Sequence, residues 1–143
     1  MHIYSGAMTI RVLLADDNPT FLAAVRQFLS ALPVTEVVGE AHDGREAMVL
    51  AASLSPDLLL LDIGMPDING LEAARRMQQW QTPPTIVFLS MHNGQAYRDA
   101  ARQVGAAGFI SKADFVEELP RMVETVEERM RAQALAQVPG VAQ

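Results

Sequence analysis

Cysteine is absent from the 143-residue chain. That excludes disulfide scaffolding and thiolate chemistry, and it fits a cytoplasmic location without demanding one. No run of eighteen apolar residues occurs, so no segment is expected to span a membrane. The start, Met1-His2-Ile3-Tyr4-Ser5-Gly6-Ala7-Met8, lacks a basic lead and an apolar signal core. Residues 1–8 therefore read as a short N-terminal extension, with Met8 a candidate start. Basic residues are few and scattered: 11 Lys and Arg against 17 Asp and Glu give a net charge of −6. Without a basic stripe, direct nucleic-acid binding by this segment is not expected. Histidine numbers only 3, and His2 and His42 have no evident partners.

Half of the residues are hydrophobic (50%) and a fifth charged (20%), the composition of one globular domain with a sizeable core. The chain is organised around Asp57-Leu58-Leu59-Leu60-Leu61-Asp62-Ile63-Gly64-Met65-Pro66-Asp67-Ile68-Asn69-Gly70. Four leucines in a row are too few for a helix and read as a strand buried on both faces. That strand delivers a carboxylate, Asp62, into a loop punctuated by Gly64, Pro66 and Asn69-Gly70.

The remaining segments alternate in the same way. Thr9–Ala15 is a β-branched strand ending at Asp16-Asp17, and Asn18-Pro19 then caps and opens a helix. Phe21, Leu22, Val25, Phe28, Leu29 and Leu32 form its apolar stripe, and Pro33 ends it. Thr35–Ala41 is a second strand, followed by a helix from Arg45 to Leu54. A third helix is predicted over Gly70–Trp80. A fourth strand, Thr85–Leu89, ends at Ser90, and a helix from about Gln95 to Val104 closes at Gly105 in a left-handed conformation. Ala107–Ser111 is a short fifth strand handing over to Lys112. The last helix runs to about Ala136. Pro120 inside it would cost roughly 3 kcal/mol, so its start is placed at Pro120. The eight methionines read as core filler. These boundaries give an extension over 1–8, a domain over 9–132, and a tail or linker start over 133–143.

Five strands alternating with five helices imply an α/β fold with a doubly wound parallel sheet, helices on both faces and right-handed crossovers. A ligand site belongs at the carboxyl ends of the strands. There Asp16, Asp17, Asp62, Ser90 and Lys112 should converge. Three anions within about 5 Å repel by roughly 1–4 kcal/mol per pair, which a divalent cation relieves. All-oxygen donors with no Cys and no adjacent His favour Mg2+ over zinc. Acids, metal, lysine and hydroxyl together suit phosphoryl transfer to a carboxylate.

The stretches LLADDNP, LLLLDIGMPDINGLEAAR, TIVFLS and GAAGFISK, over about Thr9 to Arg131, resemble the response-regulator receiver domain of bacterial two-component signalling. SMHNGQAYRDAARQVGAAGFISKAD is most similar to the NarL-type (LuxR-like) subfamily. The resemblance implies a flavodoxin-like (CheY-like) sheet of order 2-1-3-4-5, with Asp62 as phosphoacceptor. It implies Mg2+ held by Asp16, Asp17, Asp62 and the Gly64 backbone carbonyl, Ser90 as switch hydroxyl, and Lys112 as the lysine that contacts the phosphoryl group. Phe109 falls at the switch aromatic, and His92, with Gly64, at a position that modulates phosphate lifetime. Many relatives have proline after the lysine, where this chain has Ala113.

Implied partners are a sensor histidine kinase and, after phosphorylation, a second copy in a homodimer. Implied output is a change in the surface of helix four, strand five and helix five. Relatives of this type usually carry a C-terminal helix-turn-helix DNA-binding domain, so the chain is expected to be a receiver excised from a longer regulator or a stand-alone one. No enzymatic activity is implied beyond its own phosphorylation and dephosphorylation. Two other readings compete. A phosphate-independent docking or dimerisation module would need none of the acid set. A metal-dependent phosphatase using Asp62 as nucleophile usually needs a second acid where this chain has Gly64.

Overall fold

Why the strands pack as they do follows from their composition, and a computed structural model describes residues 8–137. In chain order the elements are β1 (Ile10–Ala15), α1 (Pro19–Ser30), β2 (Thr35–Ala41), α2 (Gly44–Leu54), β3 (Leu58–Asp62) and α3 (Gly70–Met77). They continue with β4 (Thr85–Ser90), α4 (Gln95–Gln103), β5 (Gly108–Ser111), a 3₁₀ turn (Lys112–Asp114) and α5 (Phe115–Ala136). The sheet order is β2-β1-β3-β4-β5, every pair parallel. This is the implied five-stranded, doubly wound CheY-like arrangement.

Central strand β3 is buried along its whole length. Because side chains alternate across a sheet, its leucines feed two cores. Leu59 and Leu61 join Leu13, Ile86, Phe88, Ala47, Ala74 and Met77 on one face. Leu58 and Leu60 join Ile10, Val12, Leu14, Leu22, Val25, Val87, Ile110, Leu119 and Val123 on the other. Helices α2, α3 and α4 (through Ala101) thus cover the first face, and α1 and α5 the second.

The cap predicted for α1 is present, and α2 and α3 turn out to be capped in the same way. Asn18 Oδ1 accepts from the Thr20 and Phe21 N–H groups at 3.0 and 3.1 Å, Asp43 caps α2 through the Glu46 N–H, and Asn69 caps α3 through the Glu72 N–H. Gly105 takes the expected positive φ of 83° after α4. Helix α3 ends at Met77, short of the predicted Trp80, and the chain leaves it through tight turns.

The start at Pro120 needs correction: α5 begins at Phe115 and carries Pro120 inside it. Proline cannot donate to the Val116 carbonyl, but Val116 is exposed, so water can satisfy that oxygen. Packing on either side holds the helix through the proline. Phe115 meets Phe21 and Phe28 edge-on at 5.3 and 5.6 Å, and Leu119 is fully buried. The helix ends at Ala136, as the sequence predicts, and so takes in residues 133–136 of the segment read as a tail or linker start. The extension before Met8, and the tail beyond Gln137, lie outside the described residues. No peptide bond among the described residues is cis, Lys112–Ala113 included.

Gly70 starts α3 directly beneath the end of β3. A Cβ there would stand 2.1 Å from the Asp62 carbonyl oxygen, a backbone atom that cannot step aside cheaply. Gly70→Ala is expected to lower stability by about 2–3 kcal/mol and to displace the strand end that carries Asp62. Urea unfolding followed by circular dichroism measures the first effect. Amide chemical shifts at Asp62 to Gly64 report the second.

Candidate functional site

Parallel strands bring their carboxyl ends to one edge, and three chain segments there place acids in contact. Asp16 follows β1, Asp17 comes next, and Asp62 ends β3. One carboxylate oxygen from each of the three lies within 4.8 Å of the others. Asp16 and Asp62 are buried, at 1% and 5% exposure, whereas Asp17 is exposed at the rim. Lys112, in the turn after β5, reaches across the edge. Its Nζ stands 2.6 Å from Asp16 Oδ2 and 3.5 Å from Asp62 Oδ1, and it lies 4.6 Å from the centroid of the Phe21 ring. The ammonium is thus held by two carboxylates and an aromatic face.

Three negative charges face one positive charge, so the cluster keeps a net deficit of cation. The Lys112–Asp16 contact is close in distance but is not aligned as a hydrogen bond, and Asp16 Oδ2 has no hydrogen-bond partner. Asp16 Oδ1 accepts from the Asn18 N–H at 2.9 Å. A buried carboxylate oxygen without a hydrogen bond, two further carboxylates within reach and oxygen-only donors form a set that suits a hard divalent cation such as Mg2+. Among the described residues this is the one group of three or more acidic, histidine or cysteine side chains arranged in that way.

Ser90 ends β4, buried at 2% exposure, and its Oγ accepts from the His92 N–H at 2.9 Å. Asp17, Asp62, Gly64, Ser90, His92 and Lys112, with Asn18, Phe21 and Met91, line one cleft of about 320 Å³. A larger groove of about 410 Å³ between the end of α1 and α5 contains no comparable convergence of charge. Phe109 is half-buried and does not line the acid cleft. It lines a separate groove with Arg98 and Arg102 of α4, where the Arg98 guanidinium sits 4.8 Å above its ring.

Sheet alternation explains this division. Asp62 continues the Leu58–Leu60 row toward α1 and α5, whereas Ser90 and Phe109 continue the Ile86–Phe88 face toward α4. All the residues picked from sequence are therefore at or beside one edge, with His2 outside the described residues and His42 paired at the surface with Glu46. Sequence reasoning missed Phe21, Asn18, Met91 and Arg98 as neighbours of the site. The position of Asn18 and Phe21 just after the acid pair was the available signal for those two. Nothing local marked Arg98.

Burial pushes the Asp62 carboxyl up from 3.8 to about 6, with the Asp16 charge adding to the rise. Lys112 and the Gly64 N–H, which donates to Asp62 Oδ1 at 3.2 Å, oppose it, and Asp17 adds to it weakly. The folded carboxyl therefore keeps its proton at a pH where the unfolded one has lost it. The sign is fixed by that difference: stability falls as pH rises from 3.8 to about 6, and the penalty is complete above that range. In metal-free buffer, Asp62→Asn should be more stable than the parent chain by about 1–3 kcal/mol near pH 7.5, and the gap should close near pH 4. Urea unfolding at both pH values measures it.

Comparison with known proteins gives a consistent result. The family model described as the response regulator receiver domain matches residues 12–124. The nitrate/nitrite response regulator protein NarL of Escherichia coli K12 is 40% identical over 101 residues, which cover 71% of this chain and 47% of that protein. The transcriptional regulatory protein DegU of Brevibacillus brevis is 32% identical over 117 residues, covering 82% of this chain and 50% of that protein. A crystal structure of a LuxR-family two-component response regulator from Aurantimonas sp. SI85-9A1 is 33% identical and superposes with a TM-score of 0.78, over 82% of this chain and 84% of that one. This chain spans about half the length of those two curated relatives.

Proposed function

The chain belongs to the response regulator receiver domain family, of NarL/LuxR type, and from that premise we propose that it is a phosphorylation switch with Asp62 as its acceptor. A sensor histidine kinase is the donor. A carboxylate oxygen of Asp62 attacks the phosphorus, the bond from phosphorus to the kinase histidine nitrogen breaks, and the electron pair leaves with the imidazole. The observation that supports this reading above all is Lys112 lodged between Asp16 and Asp62 beside a buried serine hydroxyl.

Asp16, Asp17, Asp62 and the Gly64 backbone carbonyl would hold Mg2+, which supplies charge neutralisation for an anion approaching an anionic site. Asp62 is the nucleophile, and a carboxyl near pH 6 is mostly ionised at neutral pH. Lys112 moves from balancing carboxylates to meeting the new phosphoryl oxygens. Ser90 turns its hydroxyl to donate to another of those oxygens. His92, which holds Ser90 Oγ through its backbone, and Gly64 flank the route a hydrolytic water takes, and so set phosphate lifetime.

Acyl phosphate adds charge close to −2. Withdrawal of Ser90 toward it opens space on the α4 face, Phe109 turns inward, and the surface of α4, β5 and α5 changes. That surface, or α1 with α5, then favours a homodimer, and an output domain or partner that binds the two states differently reads the signal. By analogy with DegU, whose name describes a transcriptional regulator, the output is transcriptional, through a DNA-binding domain C-terminal to residues 9–132. No described helix is long and apolar enough to cross a membrane, and the site of action is the cytoplasm. The chain catalyses nothing beyond its own phosphorylation and dephosphorylation.

Incubation with radiolabelled acetyl phosphate and Mg2+ should label the parent chain. Chelation of the metal should abolish labelling, and Asp62→Ala should show none. Lys112→Ala and Asp16→Asn should label about tenfold more slowly or worse. Label persisting in Asp62→Ala would refute the acceptor assignment.

A further inference from the structure

We infer that Arg98 is a positioning residue: it latches Phe109 in the outward groove and ties that ring to the loop after Ser90. The inference rests on the switch reading above for its consequence, and on geometry alone for the latch itself. Two contacts of the Arg98 side chain carry it. Its guanidinium caps the Phe109 ring at 4.8 Å, and its Nε donates to the Asn93 carbonyl at 3.1 Å. Asn93 lies three residues after Ser90, in the loop that carries His92. One side chain therefore spans both parts that the switch must move.

Arg98 is also oddly placed for an ordinary surface cation. It is the fourth residue of α4, where the positive end of the helix dipole disfavours a cation. No acidic residue occupies the first turn, and Gly94 offers no side-chain cap. Among the described residues Arg98 has no carboxylate within ion-pair distance, whereas Arg102, one turn later, pairs with Asp99 at 3.1 Å. The contact with Phe109 and Asn93 accounts for its position. It also matters more on α4 than it would elsewhere, because Ala101 is the only buried residue of that helix. An element so lightly anchored is the one expected to shift.

The loop is tied at two further points. Ser90 Oγ accepts from the His92 N–H, and the His92 ring stacks on Tyr97 of α4 with centroids 5.1 Å apart. Drawing Ser90 toward Asp62 pulls on this loop, loosens the Asn93 hold on Arg98, and uncovers Phe109. The latch thus opposes the active arrangement and sets the ligand concentration at which it forms.

The test compares Arg98→Gln with Arg102→Gln, which removes the same charge from the same groove but from a residue that pairs with Asp99 and does not cap the Phe109 ring. In unliganded protein, side-chain NMR of ¹³C-labelled phenylalanine should show a new Phe109 rotamer population in Arg98→Gln only. With Mg2+ and beryllofluoride, the midpoint of the conformational response should fall about three- to tenfold in Arg98→Gln, less in Arg98→Lys, and not in Arg102→Gln. Unchanged Phe109 populations and midpoint in Arg98→Gln, or an equal shift in Arg102→Gln, would overturn the latch. A parent chain that does not respond to beryllofluoride, while Arg98→Gln still repopulates Phe109, would instead sink the Asp62 reading and leave the latch standing.

Discussion

The ammonium of Lys112, held between two buried carboxylates, is the interaction on which the site depends. It stands 2.6 Å from Asp16 and 3.5 Å from Asp62. Without it the two acids would share a poorly hydrated pocket with no counter-charge, and mutual repulsion would neutralise one of them or drive them apart. With it the pocket is still short of positive charge. That residual imbalance is what makes an added cation favourable. Phe21 takes part by offering its ring face to the same ammonium, so the first turn of α1 is a wall of the site as well as a packing element.

A fold that gathers acids in this way gives up stability. The raised Asp62 carboxyl is a sign of that cost, since a group that resists ionisation when folded weakens the folded state wherever it must ionise. The cost is tolerated because β3 is buried end to end and both helical layers press on it. Burial of the strand along its length holds the Asp62 carboxylate in place. The close approach of Gly70 to the Asp62 carbonyl serves the same end from the loop side.

The two faces of the sheet are anchored unequally. The acids and lysine point toward α1 and α5, which are anchored by Leu22, Val25, Leu29, Leu119, Val123 and Val126. Ser90 and Phe109 point toward α4, which buries one alanine. A perturbation at the shared edge therefore meets a stiff wall on one side and a loose helix on the other. The half with the looser helix is the half that carries the serine, the aromatic ring and the arginine above it. This division follows from the two-residue period of the strands rather than from any separate hinge.

The linear sequence was enough to determine the strand–helix alternation, the helix cap at Asn18 and the acids at strand ends, because each depends on residues close together in the chain. Parallel topology then forced those strand ends to one edge, so the grouping of Asp16, Asp17, Asp62, Ser90 and Lys112 was legible before any coordinates. The start of α5 was not. Local propensity puts a break at Pro120, but Phe115 against α1 and Leu119 in the core override it. Nor was the contact of Arg98 with Phe109, or of Lys112 with Phe21, because which ring a cation covers is settled by side chains meeting across elements far apart in sequence. Local chemistry decides what each segment can form. Only the packed sheet decides which distant groups lie close enough to share a charge.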